Sequence, residues 1–135
     1  MPPVLPSEPT GDLAGAAILV VDDDHGTQET LRWALTDAGF VVETAADGRQ
    51  ALARAASFHP ALVVLDLKLP LVDGAAVAAG LRAALPHPPP ILLITGDDRP
   101  AEKARRVGAF AYLRKPFDLD DLIASVRSGL RAAPP

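Results

Sequence analysis

The stretch that most constrains the fold runs from Ala61 to Gly74. Five apolar residues, Ala61-Leu62-Val63-Val64-Leu65, follow one another and stop at a carboxylate, Asp66. A run this short, rich in Val and Leu, predicts a strand buried on both faces. A bare carboxylate inside such a strand would be costly. At the last residue of a parallel strand it costs far less, because that edge of an α/β sheet is where ligands bind. Pro70 ends the regular structure, and Asp73-Gly74 is expected to cap and open the next helix.

The same pattern recurs along the chain. Ala16 to Val21 predicts a first buried strand, ending at Asp22-Asp23-Asp24. Leu31, Ala34, Leu35 and Ala38 keep helical spacing between about Thr27 and Ala38, and Gly39 closes that helix. Phe40 to Thr44 predicts a short strand. Asp47, with Gln50 three residues later, predicts a capped helix to about Phe58. The helix after Asp73 has Val77, Leu81, Ala84 and Leu85 as its apolar face. Pro86 and Pro88-Pro89-Pro90 then form a stiff loop without backbone donors.

Ile91 to Thr95 is apolar until a hydroxyl and predicts a fourth strand. Pro100 and Gly108 bracket a short helix carrying Lys103, Arg105 and Arg106. Phe110 to Arg114 predicts a fifth strand, ending at Lys115-Pro116. Asp118, with Asp121, opens a last helix whose stripe is Leu119, Leu122, Ile123, Val126 and Leu130. Five strands alternating with five helices predict βαβ units, right-handed crossovers and an α/β, doubly wound parallel sheet in one domain.

The 135 residues suit one domain, placed at 16–131. Met1 to Gly15 carries four prolines and no periodicity and is expected to be a flexible Pro-rich extension, with residues 132–135 a frayed tail. The chain is 49% apolar, enough for a core, and only 4% aromatic, so that core is aliphatic. A net charge of −4 gives no reason to expect a nucleic-acid partner. The absence of Cys excludes a disulfide framework, a thiolate metal site and a Cys nucleophile, and suits a cytoplasmic location. The longest apolar run, Leu13 to Val21, is too short to span a bilayer, and no signal-peptide pattern is present.

Parallel strands present their C-terminal ends at one edge. Asp22 and Asp23, Asp66, Thr95 and Lys115 would therefore converge there. Crowded carboxylates repel unless a cation sits among them. A hard divalent ion, most simply Mg²⁺, would resolve this, and Mg²⁺ brings phosphate with it. The lysine and the hydroxyl could then hold phosphoryl oxygens. A carboxylate beside such a metal can itself be the nucleophile, giving an aspartyl phosphate.

These motifs carry a family resemblance. Val20-Val21-Asp22-Asp23-Asp24, Leu65-Asp66-Leu67-Lys68-Leu69-Pro70 with Asp73-Gly74, Ile94-Thr95-Gly96 and Tyr112-Leu113-Arg114-Lys115-Pro116-Phe117 resemble, in order, the receiver domain of two-component response regulators. The resemblance spans about Ala16 to Leu130. It implies a flavodoxin-like (βα)5 sheet of strand order 2-1-3-4-5. It implies that Asp66 accepts a phosphoryl group from the phosphohistidine of a sensor histidine kinase or phosphotransfer protein. Asp23, Asp66 and the backbone carbonyl of Lys68 would bind Mg²⁺ directly, and Asp22 through water. Thr95 and Lys115 would contact the phosphoryl group, Tyr112 would be the ring that switches with it, and the Lys115–Pro116 bond would be cis.

The resemblance also implies an output face made by the fourth helix, fifth strand and fifth helix, a downstream effector protein and a possible homodimer. The segment from Thr95 to Gly108 is short for this family, which predicts a short, loosely docked fourth helix. Lys103, Arg105, Arg106 and Arg114 would make its exposed face basic, fit for an acidic partner. A Lys68–Asp97 pair would slow dephosphorylation. With no room for a further domain after Leu130, the chain reads as a stand-alone receiver or a fragment of a longer regulator.

Three other readings compete. One is a Mg²⁺-dependent phosphohydrolase with an aspartyl nucleophile, against which Lys68 stands where an acid would be expected. Another is a flavodoxin-like cofactor binder, although aspartates replace the phosphate loop. The last is a receiver used for docking without phosphorylation. Asp24 reads as a structural cap, and His25, His59 and His87 as loop or surface residues. Trp33 lies off the main stripe of its helix and is expected to be partly exposed.

Overall fold

The computed structural model describes residues 13–66 and 71–132, the side chains of residues 71–73 excepted. Five strands, β1 (Ala17–Val21), β2 (Val41–Ala45), β3 (Leu62–Asp66), β4 (Ile91–Thr95) and β5 (Ala111–Arg114), alternate with five helices. These are α1 (His25–Asp37), α2 (Gly48–Phe58), α3 (Leu71–Ala84), α4 (Pro100–Val107) and α5 (Leu119–Ala132). All strand pairs are parallel, and the sheet order is β2-β1-β3-β4-β5. This is the doubly wound, flavodoxin-like sheet that the alternation and the resemblance predict.

The period of two along each strand divides the core in two. Leu19, Val21, Val63, Leu65, Ile91 and Leu93 point to one face and meet Ala51, Ala55, Val77, Leu81, Ala104 and Val107 of α2, α3 and α4. Ile18, Val20, Leu62, Val64, Leu92 and Ile94 point to the other and meet Leu31, Leu35, Leu122 and Val126 of α1 and α5. β1, β3 and β4 are buried on both sides, which is why they read as unbroken apolar runs.

Several boundaries differ from the sequence reading. α1 starts at His25, because Asp24 is its N-cap: Asp24 Oδ2 accepts from the Thr27 backbone N–H at 2.9 Å and from the Thr27 hydroxyl at 2.6 Å. At α2, Asp47 Oδ1 accepts from Gln50 N–H at 2.9 Å. The Gln50 side chain reaches back one residue further than the usual box, to the N–H of Ala46. α3 starts at Leu71, directly after Pro70, so Asp73 lies within its first turn instead of capping it. Asp73 still sits at the positive end of the helix.

Residues 13–15 do not behave as an extension. Leu13 is buried in the α1/α5 core, and Gly15 N–H donates to Gly39 O at 2.8 Å. The apolar surface of Leu13 is worth more in the core than in water, so the ordered chain begins before Ala16. The remainder of that extension and the end of the tail lie outside the described residues.

α4 is short but not loosely docked. Ala104 and Val107 are buried. The guanidinium of Arg82, on α3, donates to Val107 O at 2.8 Å and to Gly108 O at 3.3 Å, closing the end of α4. Gly108 there has φ of 79°, and a Cβ would collide with Arg82. Trp33 is 66% exposed, in line with its place off the main stripe of α1. His25, His59 and His87 are all exposed. Among the described residues, no helix is long and apolar enough to cross a membrane.

Candidate functional site

Register brings the predicted residues to one edge. Val21 pairs with Leu65, so Asp22 and Asp66 leave neighbouring strands nearly side by side. Asp66 pairs with Ile94, placing Thr95 just beyond it, and Thr95 pairs with Arg114, placing Lys115 next. Asp22, Asp66 and Thr95 are all buried, whereas Asp23 is exposed at the rim.

Lys115 reaches across the edge. Its Nζ stands 2.6 Å from Asp66 Oδ2, a charge-assisted contact to a carboxylate that is 1% exposed. Its backbone N–H donates to Thr95 O at 2.9 Å, which fixes the strand end carrying the ammonium. The Lys115–Pro116 peptide bond is cis. Thr95 Oγ1 accepts from the Asp97 N–H at 3.1 Å. Tyr112 lies opposite Leu93 on β5 and is 41% exposed, so the structure does not bring it into the carboxylate cluster.

Asp22 is the strained member. Its Oδ1 accepts from Asp24 N–H at 2.9 Å, while Oδ2 is buried and receives no donor among the described residues. Burial pushes its carboxyl up to about 7, and the adjacent Asp66 carboxyl adds to the rise. The Asp24 N–H and the Lys115 ammonium pull the other way without cancelling it.

One contributor is invisible to motif reading. Gln28 is buried beneath the edge, and its Nε2 donates to Asp22 O and, at 3.2 Å, to Ala45 O. It thereby ties the ends of β1 and β2 together and holds the backbone of Asp22. Its signal is positional: Gln28 falls three residues before Leu31 and seven before Leu35, a polar residue on an apolar stripe.

The charges around α4 also differ from expectation. Asp97 pairs with Lys103, Oδ2 to Nζ at 3.2 Å, and Lys68 lies outside the described residues. Glu102 lies 3.5 Å from Arg106 and 3.7 Å from Arg99. These pairs leave the outer face of α4 mixed in charge, and Lys103 is turned inward instead of joining a basic face.

The residues suit Mg²⁺ by their chemistry. Two buried carboxyls face each other, and one raises the pKa of the other, the imbalance a hard cation relieves. No group of three His, Asp or Glu side chains among the described residues forms a ready cage. Mg²⁺ does not need one, since it binds through one or two carboxylates and keeps several waters.

A sequence profile described as the response regulator receiver domain matches residues 18–127. The response regulator MprA of Mycolicibacterium vanbaalenii is 44% identical over 120 residues, covering 87% of this chain and 52% of that protein. The MprA of Mycobacterium avium is 42% identical over the same length. The chain thus spans about half the length of these curated relatives.

Among solved structures, the chemotaxis response regulator CheY4 of Vibrio cholerae superposes with a TM-score of 0.75 at 32% identity. The match covers 87% of this chain and all of that one. NtrX of Brucella abortus superposes with a TM-score of 0.76 at 32% identity, with 26% of its chain covered. The profile, the sequence relatives and the superposed sheets agree with the edge geometry: this chain belongs to the receiver-domain family of two-component response regulators.

Proposed function

We propose that Asp66 is the phosphoacceptor of this receiver and that a sensor histidine kinase or a phosphotransfer protein is its donor. The observation that carries this reading is the Lys115–Asp66 contact at 2.6 Å, beside the buried Asp22, at the end of the central strands. An Asp66 carboxylate oxygen attacks phosphorus. The new O–P bond forms as the N–P bond to the donor imidazole breaks, and that nitrogen leaves with the bonding electron pair.

Lys115 is placed to follow the transferred oxygens, since its ammonium already sits on the acceptor carboxylate. Thr95 offers its hydroxyl one strand away. Burial of Asp66 keeps bulk water from the acyl phosphate. Bound Mg²⁺ would neutralise phosphoryl charge. Asp23, Asp66 and the Lys68 carbonyl would hold it, with Asp22 acting through water.

The switched surface is α4, β5 and α5, with Tyr112 as its mobile ring, and the effector is a protein that reads this surface, alone or as a dimer. The compartment in this reading is the cytoplasm, and no direct nucleic-acid contact belongs to these residues. The test is Mg²⁺-dependent labelling with acetyl phosphate, comparing the wild type with Asp66→Asn. Labelling of the wild type alone is expected. Equal labelling of both would overturn the assignment.

A further inference from the structure

Asp23 stands exposed at the rim of the site, between Asp22, which is buried, and Asp24, whose side chain caps α1. The direction of an exposed carboxylate is set first by the backbone that carries it. Two peptide planes flank Asp23, and both are fastened. The plane after it contains the Asp24 N–H, which donates to Asp22 Oδ1 at 2.9 Å. The plane before it contains the Asp22 carbonyl, which accepts from Gln28 Nε2. Gln28 is buried, and the second donor of its amide reaches Ala45 O at 3.2 Å. Its backbone N–H donates to Asp24 O at 2.9 Å, in the first turn of α1. Ala45 O also accepts from the Asp22 N–H at 2.9 Å. One side-chain amide therefore joins β1, β2 and α1 where the Asp23 backbone leaves the sheet.

We infer that Gln28 is a positioning residue for Asp23, and that it sets the preference of the site for Mg²⁺ over Ca²⁺. This rests on the metal ligands proposed above. Mg²⁺ is small and demands near-octahedral geometry, whereas Ca²⁺ accepts more oxygens in looser arrangements. A carboxylate on a backbone pinned on both sides meets the stricter demand. With the Asp22 carbonyl released, the Asp22–Asp23 peptide can rotate. Asp23 must then be ordered as the ion binds, and that entropy weighs most on the ion with the narrower geometry. Gln28 touches neither the ion nor the phosphoryl group; it acts through the peptide before Asp23.

Isothermal titration calorimetry with Mg²⁺ alone and with Ca²⁺ alone reads this without any phosphoryl transfer. Gln28→Met keeps the length of the side chain and removes both donors. It should weaken Mg²⁺ binding about ten-fold, as expected when a group that orients a metal ligand is lost, and Ca²⁺ binding no more than about three-fold. Labelling with acetyl phosphate should then need about ten-fold more Mg²⁺ for its half-maximal rate and approach the wild-type rate at saturation. Leu35→Val, which trims α1 in the core, should leave both affinities unchanged. In the metal-free wild type, ¹⁵N relaxation should find the Asp23 and Asp24 amides as rigid as those of β1, with order parameters of about 0.85.

Unchanged Mg²⁺ binding in Gln28→Met overturns the inference, and so does an equal weakening of both ions. A matching loss in Leu35→Val does the same, since it would trace the effect to the packing of α1. Mobile Asp23 and Asp24 amides in the metal-free wild type overturn it even if Gln28→Met fails to fold. Mg²⁺ binding by Asp23→Asn as tight as the wild type's would instead overturn the metal site itself.

Discussion

The interior of the central strands and their C-terminal ends are one residue apart in sequence and opposite in energetic character. Leu65 is buried between two helix layers and gains from every neighbour. Asp66, the next residue, is equally buried and ends in a carboxyl group. Val21 and Asp22 repeat the contrast on β1. Burial stabilises the first kind of residue and works against the second. The fold therefore keeps its least comfortable groups at the edge best supported by what lies beneath it. This is consistent with an edge built to bind something that is not protein.

The contrast can be broken most forcefully from the interior. Leu92→Ala, in the fully buried β4, should cost about 2–5 kcal/mol through lost burial and the cavity left behind. Chemical denaturation reads this directly. A loss below about 1 kcal/mol would mean that the strand interior is not the source of stability.

At the strand end the sign should reverse. Asp22→Asn removes a buried charge and keeps an oxygen for the Asp24 N–H, so the metal-free protein should gain on the order of 2 kcal/mol at pH 8. A loss of stability would show that Asp22 is a structural group and not a frustrated one.

The same carboxyl predicts a pH dependence. Its folded pKa is raised from 3.8 to about 7, so between those values the folded state binds more proton than the unfolded. Stability of the metal-free protein should therefore fall as pH rises from 4 to 7, and flatten above 7. Thermal melts of the wild type against Asp22→Asn isolate this component, which the variant lacks. Added Mg²⁺ should restore stability, more at pH 8 than at pH 6, because binding competes with the proton. At tenfold over its dissociation constant the gain is about 1.4 kcal/mol.

The smallest effect is expected away from both regions. Arg82→Met should cost about 1 kcal/mol by leaving the Val107 and Gly108 carbonyls without their donor. Hydrogen exchange should quicken in α4 and stay unchanged in α5. Equal quickening in both would mean that α4 is held by the common core and not by this local tie.

The strands and the acidic edge were legible because both follow from local pattern. An apolar run that stops at a polar residue fixes the strand and its end together, and parallel topology does the rest. Asp66, Asp22, Thr95 and Lys115 converge for that reason alone. What escaped was long-range or polar. The hold of Arg82 on α4 joins residues 25 apart and leaves no local signature. Lys103 reads from sequence as part of an exposed basic face, because its partner Asp97 lies across a loop. Asp73 obeyed the grammar of a cap, but the helix had already begun after Pro70. Gln28 was readable in principle, but only by treating a polar residue on an apolar stripe as a question about which backbone carbonyls it serves.

Trp33 has a consequence for how this protein can be observed. It is the chain's one tryptophan and stands two-thirds exposed on α1. Its indole is already hydrated in the native state, so its emission should change little when the core melts, and a folding study should rely on circular dichroism. The same exposure makes it a built-in optical sensor. Anything that settles on the outer side of α1 and dehydrates the ring should shift its emission to the blue, with no label added.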